Sequence, residues 1–201
     1  MFPSDELQPA VVNSAFYKNP VNSHIFGEVR NNFSHPIQKV KVYGAIFDAN
    51  GKIIATADSF TKDNYLKPNQ TSGFWLLFTK DIPANSNYTL KATYQNSSIV
   101  KPEMLGLKVD RMSLDPVQVS GTVTNLGDRT TRDVAVSVVF YDQNHKVVDS
   151  DFDFINIDGL SPGQKSNFNF KPIVNYENAD KITDISLNAE SNHYTMMSDT
   201  K

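Results

Sequence analysis

The chain carries one sequence pattern twice. Aligned with itself at an offset of 94 positions, it needs no gap between residues 27 and 76. The offset superimposes glycine on glycine, asparagine on asparagine and proline on proline. Among the identical pairs are Gly27/Gly121, Val29/Val123, Asn31/Asn125, Val40/Val134, Val42/Val136, Asp48/Asp142, Leu66/Leu160, Pro68/Pro162, Gln70/Gln164 and Phe74/Phe168. An ungapped match of this length indicates two copies of one structural unit.

We therefore predict two domains in series. The first spans residues 1–100, with about ten extended residues at its start, and the second spans residues 101–201, with a disordered tail from about residue 193. A unit of this size can bury a core of its own. The junction, Val100–Leu105, contains Pro102 but no run of glycine or serine, so we predict a short, semi-rigid linker.

Composition excludes several classes of function. The net charge of −3, with acids and bases interspersed, gives no basic surface for nucleic acid. No stretch approaches the roughly 20 apolar residues of a transmembrane segment. The absence of cysteine excludes disulfides, thiol catalysis and thiolate metal sites. The first residues lack the basic and apolar segments of a secretory signal, so the protein is either cytosolic or exported with its signal peptide removed.

Apolar and polar residues alternate through most of the chain, as expected of half-buried strands. Val134, Val136 and Val138 share one side of such a strand, and residues 40–46 repeat the alternation. Turn sequences separate the strands, including Asp48–Gly51 with its Asn-Gly pair. Many short strands with regular turns predict an all-β chain folded as two tandem antiparallel β-sandwiches.

Two repeated positions predict unusual backbone geometry. Glycine inside a strand is unfavourable, so Gly27 and Gly121 predict a bulge or a close approach of another part of the chain. The hairpin glycine of the first copy, Gly51, is replaced by His145 in the second. Histidine tolerates a positive φ less well than glycine, so the sequence predicts a different turn there.

The repeated motif resembles that of the FxLYD family. The second copy carries Val139–Asp142, preceded by Gly121–Asn125 and followed by Leu160–Gly163, and the first copy carries Ala45–Asp48 without the tyrosine. The resemblance covers nearly the whole chain as two copies. It implies immunoglobulin-like sandwiches, export to the envelope or the exterior of a bacterial or archaeal cell, and no active-site residue.

No motif for catalysis is present: the chain lacks a Gly-x-Ser-x-Gly elbow, a phosphate-binding glycine loop and a His-Glu-x-x-His sequence. We predict that the protein is not an enzyme and uses no cofactor. Its four histidines have no ligand spacing, so we predict no metal site. One alternative is a soft cation such as copper, held by His193 with Met196 and Met197.

A second metal alternative concerns Asp149, Asp151 and Asp153, which alternate along one predicted strand. Carboxylates at this density could hold calcium. The run lacks the glycine and the distal glutamate of a loop-type calcium site. We therefore interpret it as an exposed acidic strand face that opposes edge-to-edge pairing.

The candidate binding patch is a difference between the copies. Four outward positions of the first copy are apolar, whereas their equivalents are polar. The pairs are Phe26/Ser120, Tyr43/Ser137, Trp75/Asn169 and Leu77/Lys171. Strands that are apolar on both sides need a cover. The sequence leaves three covers open: another part of the chain, such as residues 11–17 or the other domain; a protein partner or second copy; or a flat ligand such as a sugar.

From these features we predict a non-catalytic cell-surface or extracellular protein that acts as a binding or spacer module. Its partner is most simply another protein or a second copy, since aromatic residues with a polar rim are typical of binding hot spots. The alternative is a metal- or carbohydrate-binding accessory module that serves a partner enzyme.

Overall fold

A computed structural model describes residues 8–18, 22–95, 107–113, 118–155, 159–171 and 179–194. The chain divides into two compact units, Met1–Ser97 and Ser98–Lys201. No helix in the described part is long and apolar enough to cross a membrane. The predicted linker, most of the predicted N-terminal extension and the tail after residue 194 lie outside the described residues.

The first unit consists of two antiparallel sheets. Its strands are β1 (Ala10–Tyr17), β2 (Ser23–Arg30), β3 (Ile37–Phe47), β4 (Ile53–Phe60), β5 (Tyr65–Leu66), β6 (Thr71–Phe78) and β7 (Asn87–Gln95). One sheet has the order β1-β2-β6. In the other sheet β3 lies between β4 and β7, and the short β5 pairs with the start of β3.

The second unit repeats this arrangement. Its strands are β8 (Leu107–Ser113), β9 (Val119–Asn125), β10 (Thr131–Tyr141), β11 (Val147–Phe154), β12 (Lys165–Phe170) and β13 (Asp184–Tyr194). The sheets have the orders β8-β9-β12 and β11-β10-β13. The predicted fold class, two tandem immunoglobulin-like antiparallel β-sandwiches, is confirmed. Residues 193 and 194 of the predicted tail belong to β13.

The alternation in the sequence defines each core. In the first unit Ile25, Val29, Val42 and Phe74 are fully buried between the sheets. Their equivalents in the second unit are buried as well; they are Val119, Val123, Val136 and Phe168. Because each unit buries its own set of aliphatic and aromatic side chains, the repeated residues account for folding rather than for recognition.

The repeated strand glycines make room for an aromatic ring. A Cβ atom on Gly27 would lie 2.5 Å from Cζ of Phe74 and 2.5 Å from the carbonyl oxygen of Asn13 on β1. A Cβ atom on Gly121 would lie 2.7 Å from Cζ of Phe168 and equally crowd a carbonyl of β8. Any side chain at these positions would displace the ring or the neighbouring strand, which explains the predicted close approach.

A buried asparagine closes the end of the same strand in both units. The Nδ2 group of Asn31 donates to the carbonyls of His35 and Leu66, both at 2.9 Å, and Oδ1 accepts from the N–H of Phe33 at 2.9 Å. Asn125 makes the three equivalent bonds at 2.7, 2.7 and 2.9 Å. Each side chain thus bonds to backbone groups of two segments that are separate in sequence.

Positive φ angles also recur at equivalent positions of the two units. The positive-φ residues in the described part form three equivalent pairs, which are Lys39/Asp133, Gly51/His145 and Asn69/Gly163. His145, at φ 59°, keeps the turn of the first copy, with the N–H of Asp142 bonded to the carbonyl of Lys146 at 3.0 Å. The prediction of a different turn is therefore wrong. The imidazole stacks on the ring of Tyr141 at 4.3 Å, a contact that glycine lacks.

Candidate functional site

The four residues predicted as one patch lie on two different surfaces. Phe26 on β2 and Trp75 and Leu77 on β6 share the outer side of the β1-β2-β6 sheet. Tyr43 belongs to β3 and lies on the outer side of the opposite sheet. Alternation identifies the outward side of each strand, but it does not assign the strands to sheets. The predicted residues therefore do not form a single patch.

On the first surface three aromatic rings adjoin one another. The centroids of Phe26 and Trp75 are 6.2 Å apart, and that of His24 lies 5.9 Å and 5.7 Å from them. The indole N–H of Trp75 donates to Nδ1 of His24 at 2.9 Å. This bond orients the indole and requires Nδ1 to be unprotonated. We call His24, Phe26, Trp75 and Leu77 the aromatic face.

The aromatic face is only partly open. Phe26 is 3% exposed, whereas Trp75 and Leu77 are 40% and 41% exposed. Tyr17 of β1 contacts Phe26 edge-on at 5.8 Å, and the ammonium group of Lys62 lies 5.8 Å from the indole centroid. Residues 11–17, one of the covers that the sequence leaves open, thus belong to β1 and pair with β2. They contact Phe26 and leave Trp75 and Leu77 accessible.

The second surface is an open groove of about 430 Å³ on the outer side of β3, β4 and β7. Its lining includes the outward side chains of Tyr43, Ile53, Thr56, Asp58, Thr89 and Lys91. Tyr43 is 42% exposed, so its ring is accessible from the groove. The groove combines an aromatic wall with hydroxyl and charged groups, a composition typical of recognition sites.

An ion pair fixes one end of the groove. Nζ of Lys41 lies 2.7 Å from Oδ2 of Asp58, and it also lies over the rings of Tyr43 and Phe60, at 5.1 Å and 5.6 Å from their centroids. The hydrogen bond to Asp58 raises the pKa of Lys41 above its ordinary value. The cation therefore stays charged at neutral pH and is neutralised by its partner. Sequence reasoning missed Lys41 and Asp58, because their contact depends on the pairing of β3 with β4.

The equivalent surface of the second unit is not open. Ala135, Ser137 and Val139 of β10 occupy the places of Lys41, Tyr43 and Ala45, and all three are buried. Ser137 lies on the outward side of β10, but it is buried. On the other sheet, Asn169 and Lys171 are exposed in the places of Trp75 and Leu77.

The acidic run lies on the inward side of its strand. Asp149, Asp151 and Asp153 of β11 pair with the core-facing residues of β10. Asp149 is 3% exposed, and its Oδ1 accepts the N–H of Ser150 at 2.7 Å. The prediction of a wholly exposed acidic face is thus wrong for Asp149. The reason is that the strand's outward side carries Phe152 and Phe154 instead.

Of the two metal alternatives, only the acidic run has its side chains in the described part of the chain. Within the residues that it describes, no group of three or more His, Cys, Asp or Glu side chains could hold an ion. The side chains of His193, Met196 and Met197 lie outside the described part, so the copper alternative has no geometry to consider.

Comparisons with known proteins assign the chain to no family. No protein-family model and no curated protein matches the chain. Several solved structures match it distantly. A red sea bream transglutaminase is 10% identical over 90% of this chain and 29% of its own, with a TM-score of 0.26. A family 2 glycosyl hydrolase from Bacteroides cellulosilyticus is 11% identical over 85% and 28%, at 0.22. Dimeric latent PorU from Porphyromonas gingivalis is 12% identical over 96% and 20%, at 0.24. The chain therefore spans less than a third of each of these three proteins.

Proposed function

We propose that this protein is a non-catalytic binding module of the cell envelope or the extracellular space, and that its first unit contacts a protein partner through the groove. The observation that carries the proposal is the contrast between equivalent surfaces. The groove exposes Tyr43 beside a fixed Lys41–Asp58 pair, whereas the same side of β10 is buried around Ser137. An open aromatic wall with a polar rim suits protein recognition.

The second unit, which has the same fold, then acts as a structural spacer. The FxLYD resemblance of both copies supports a spacer role for the second unit. The residues that both copies share, such as Asn31 and Asn125, stabilise the fold and do not form a binding surface. The same resemblance supports export, absence of catalysis and a role in contacts at the cell surface. Under this proposal the groove needs no cofactor.

Site-specific photo-crosslinking tests the proposal. A photoreactive phenylalanine analogue at position 43, introduced in the cells that carry the gene, should give light-dependent adducts with another protein. The control places the analogue at Leu126, which is 65% exposed on the second unit and should give none. Equal adducts at both positions, or no adduct at position 43, would contradict a specific site at the groove.

A carbohydrate ligand is the second candidate. It is favoured by the exposure of both Tyr43 and Trp75, since aromatic rings next to hydroxyl and charged groups also suit sugars. A thermal-shift series with glycans, calcium and copper separates the candidates. A ligand at 100 times its dissociation constant stabilises the fold by about 2.7 kcal/mol, which is a readily measured shift. No shift with any of them leaves the protein partner as the proposal.

A further inference from the structure

The inward side chains of one edge strand differ between the two units. Within the described strands, β4 and β11 are equivalent terminal strands, at the edge of the sheets that contain β3 and β10. The inward side of β11 carries Asp149, Asp151 and Asp153. The corresponding positions of β4 are occupied by Ala55, Ala57 and Ser59. The acidic run is therefore a property of one edge only.

Inward charges protect an edge strand. A strand added to such an edge would bring its own inward side chains next to the carboxylates and away from water, which is unfavourable. β11 is protected in this way by the three acids. The inward side of β4 carries no charge, and its outward carboxylate, Asp58, is held by Lys41 at 2.7 Å.

A neighbouring edge of the first unit is already occupied in part. The N–H of Lys62 donates to the carbonyl of Gly73 on β6 at 2.8 Å, so a loop covers part of that strand. β1 has an irregular register between Val11 and Asn13, which interrupts a regular ladder. From Ala55 to Phe60, β4 keeps a regular register with β3 and has an uncharged inward side, so its other side can accept a strand.

The side chains of β4 are complementary to a second copy of the same strand. Its outward side has an exposed apolar residue near each end, Ile53 at 55% and Phe60 at 56%. An antiparallel two-fold pairing brings the Ile53 end of one strand beside the Phe60 end of the other. Centred on Ala57, it also places Thr56 opposite Asp58 of the second copy, where the hydroxyl can donate to the carboxylate. A centre on Asp58 would place two carboxylates opposite each other.

We propose that the chain forms a homodimer in which β4 pairs antiparallel with β4 of a second copy, centred on Ala57. The two sheets then continue into one another across the two-fold axis, and the backbone groups on the free side of β4 gain partners. This interface goes beyond the proposed function, because the backbone edge forms it rather than the Tyr43 wall of the groove.

Sedimentation over a concentration range tests the dimer with substitutions at the exposed Thr56 and at Ala57, which faces inward. Thr56→Asp should weaken dimerisation by about tenfold, because the two-fold axis creates the carboxylate pair with Asp58 twice. Thr56→Lys is the matched control and should dimerise at least as well as the native chain. Ala57→Asp, which introduces the residue found at position 151, should abolish the dimer, with Trp75 fluorescence reporting that the unit is still folded.

Several outcomes would overturn the proposal. They are a chain that remains monomeric at every concentration, a dimer indifferent to Thr56→Asp, and equal weakening by Thr56→Asp and Thr56→Lys. If Ala57→Asp fails to fold, the Thr56 pair decides the matter alone. A dimer that survives Thr56→Asp but is lost with Tyr43→Ser would contradict the β4 edge and place self-association at the groove. Failure of the crosslinking at position 43 leaves this test unaffected.

Discussion

The outer sides of β3 and β10 are equivalent surfaces in two copies of one fold, yet only the outer side of β3 is open. Tyr43 is exposed in the groove, whereas Ser137 is buried. The inward residues of the two strands barely differ in role, since Val42 and Val136 are both fully buried. The comparison shows that the duplicated residues preserve folding, while the outward residues are free to diverge. The function of each unit therefore has to be sought in its outward side chains and its edges.

The largest loss of stability should follow substitution of the buried asparagine that both units share. Asn31→Ala removes three side-chain hydrogen bonds and leaves buried carbonyls without their donor, so we expect a loss of about 3 kcal/mol or more from the first unit. Asn125→Ala should cost the second unit a similar amount. Hydrogen exchange, measured for each unit in the full chain, checks both values. The exposed Asn169→Ala serves as the control. Unequal losses would show that the two frames are not equivalent.

The next effect concerns the strand glycines. Gly27→Ala forces a methyl group against Phe74 and a β1 carbonyl, and we expect a loss of about 2 kcal/mol, with a similar loss for Gly121→Ala. Denaturant unfolding followed by Trp75 fluorescence reports the first unit. The double variant with Phe74→Leu and Gly27→Ala should lose less stability than the sum of the two single losses, because the smaller side chain leaves room for the methyl group. A double variant with strictly additive losses would contradict the proposed crowding.

Substitution in the aromatic face should cause a smaller loss of stability, and only in the first unit. Trp75→Asn introduces the residue of the second copy and removes the ring contacts with His24 and Phe26, so we expect the first unit to lose about 1–2 kcal/mol. The reciprocal Asn169→Trp lacks these ring partners and should change stability by less than about 0.5 kcal/mol. Hydrogen exchange measures both. Stabilisation by Asn169→Trp would show that the second unit also supports an aromatic face.

The smallest effect should be a gain. Lys39 and Asp133 both adopt a positive φ, near 50°, where a side chain strains the backbone. Lys39→Gly and Asp133→Gly should each stabilise their unit by about 0.5 kcal/mol, because the relief of strain exceeds the added entropy of the unfolded chain. Thermal unfolding of the two variants provides the measurement. Destabilisation of one unit alone would indicate that its side chain makes a compensating contact.

Much of the fold could be predicted, because its determinants are local. The offset of 94 residues identifies the copies, and alternation identifies Ile25, Val29 and Val42 as inward. The prediction for the His145 turn is wrong, because it rests on the φ preference of histidine alone. That preference does not include the hydrogen bonds of the turn or the stacking of the imidazole on Tyr141. The inward position of Asp149 was missed for a related reason, since the pairing of β11 with β10 sets its side.

The candidate site could be predicted only in its parts. The sequence by itself determined which residues face outward and which outward residues differ between the copies, because both follow from a two-residue period and a fixed offset. Only the tertiary structure decided that Phe26 and Trp75 share one sheet while Tyr43 lies on the other, and that Tyr43 is open where Ser137 is covered. The physical reason is that the side of a strand is a local property, whereas sheet partners and cover are set by contacts between residues far apart in the chain.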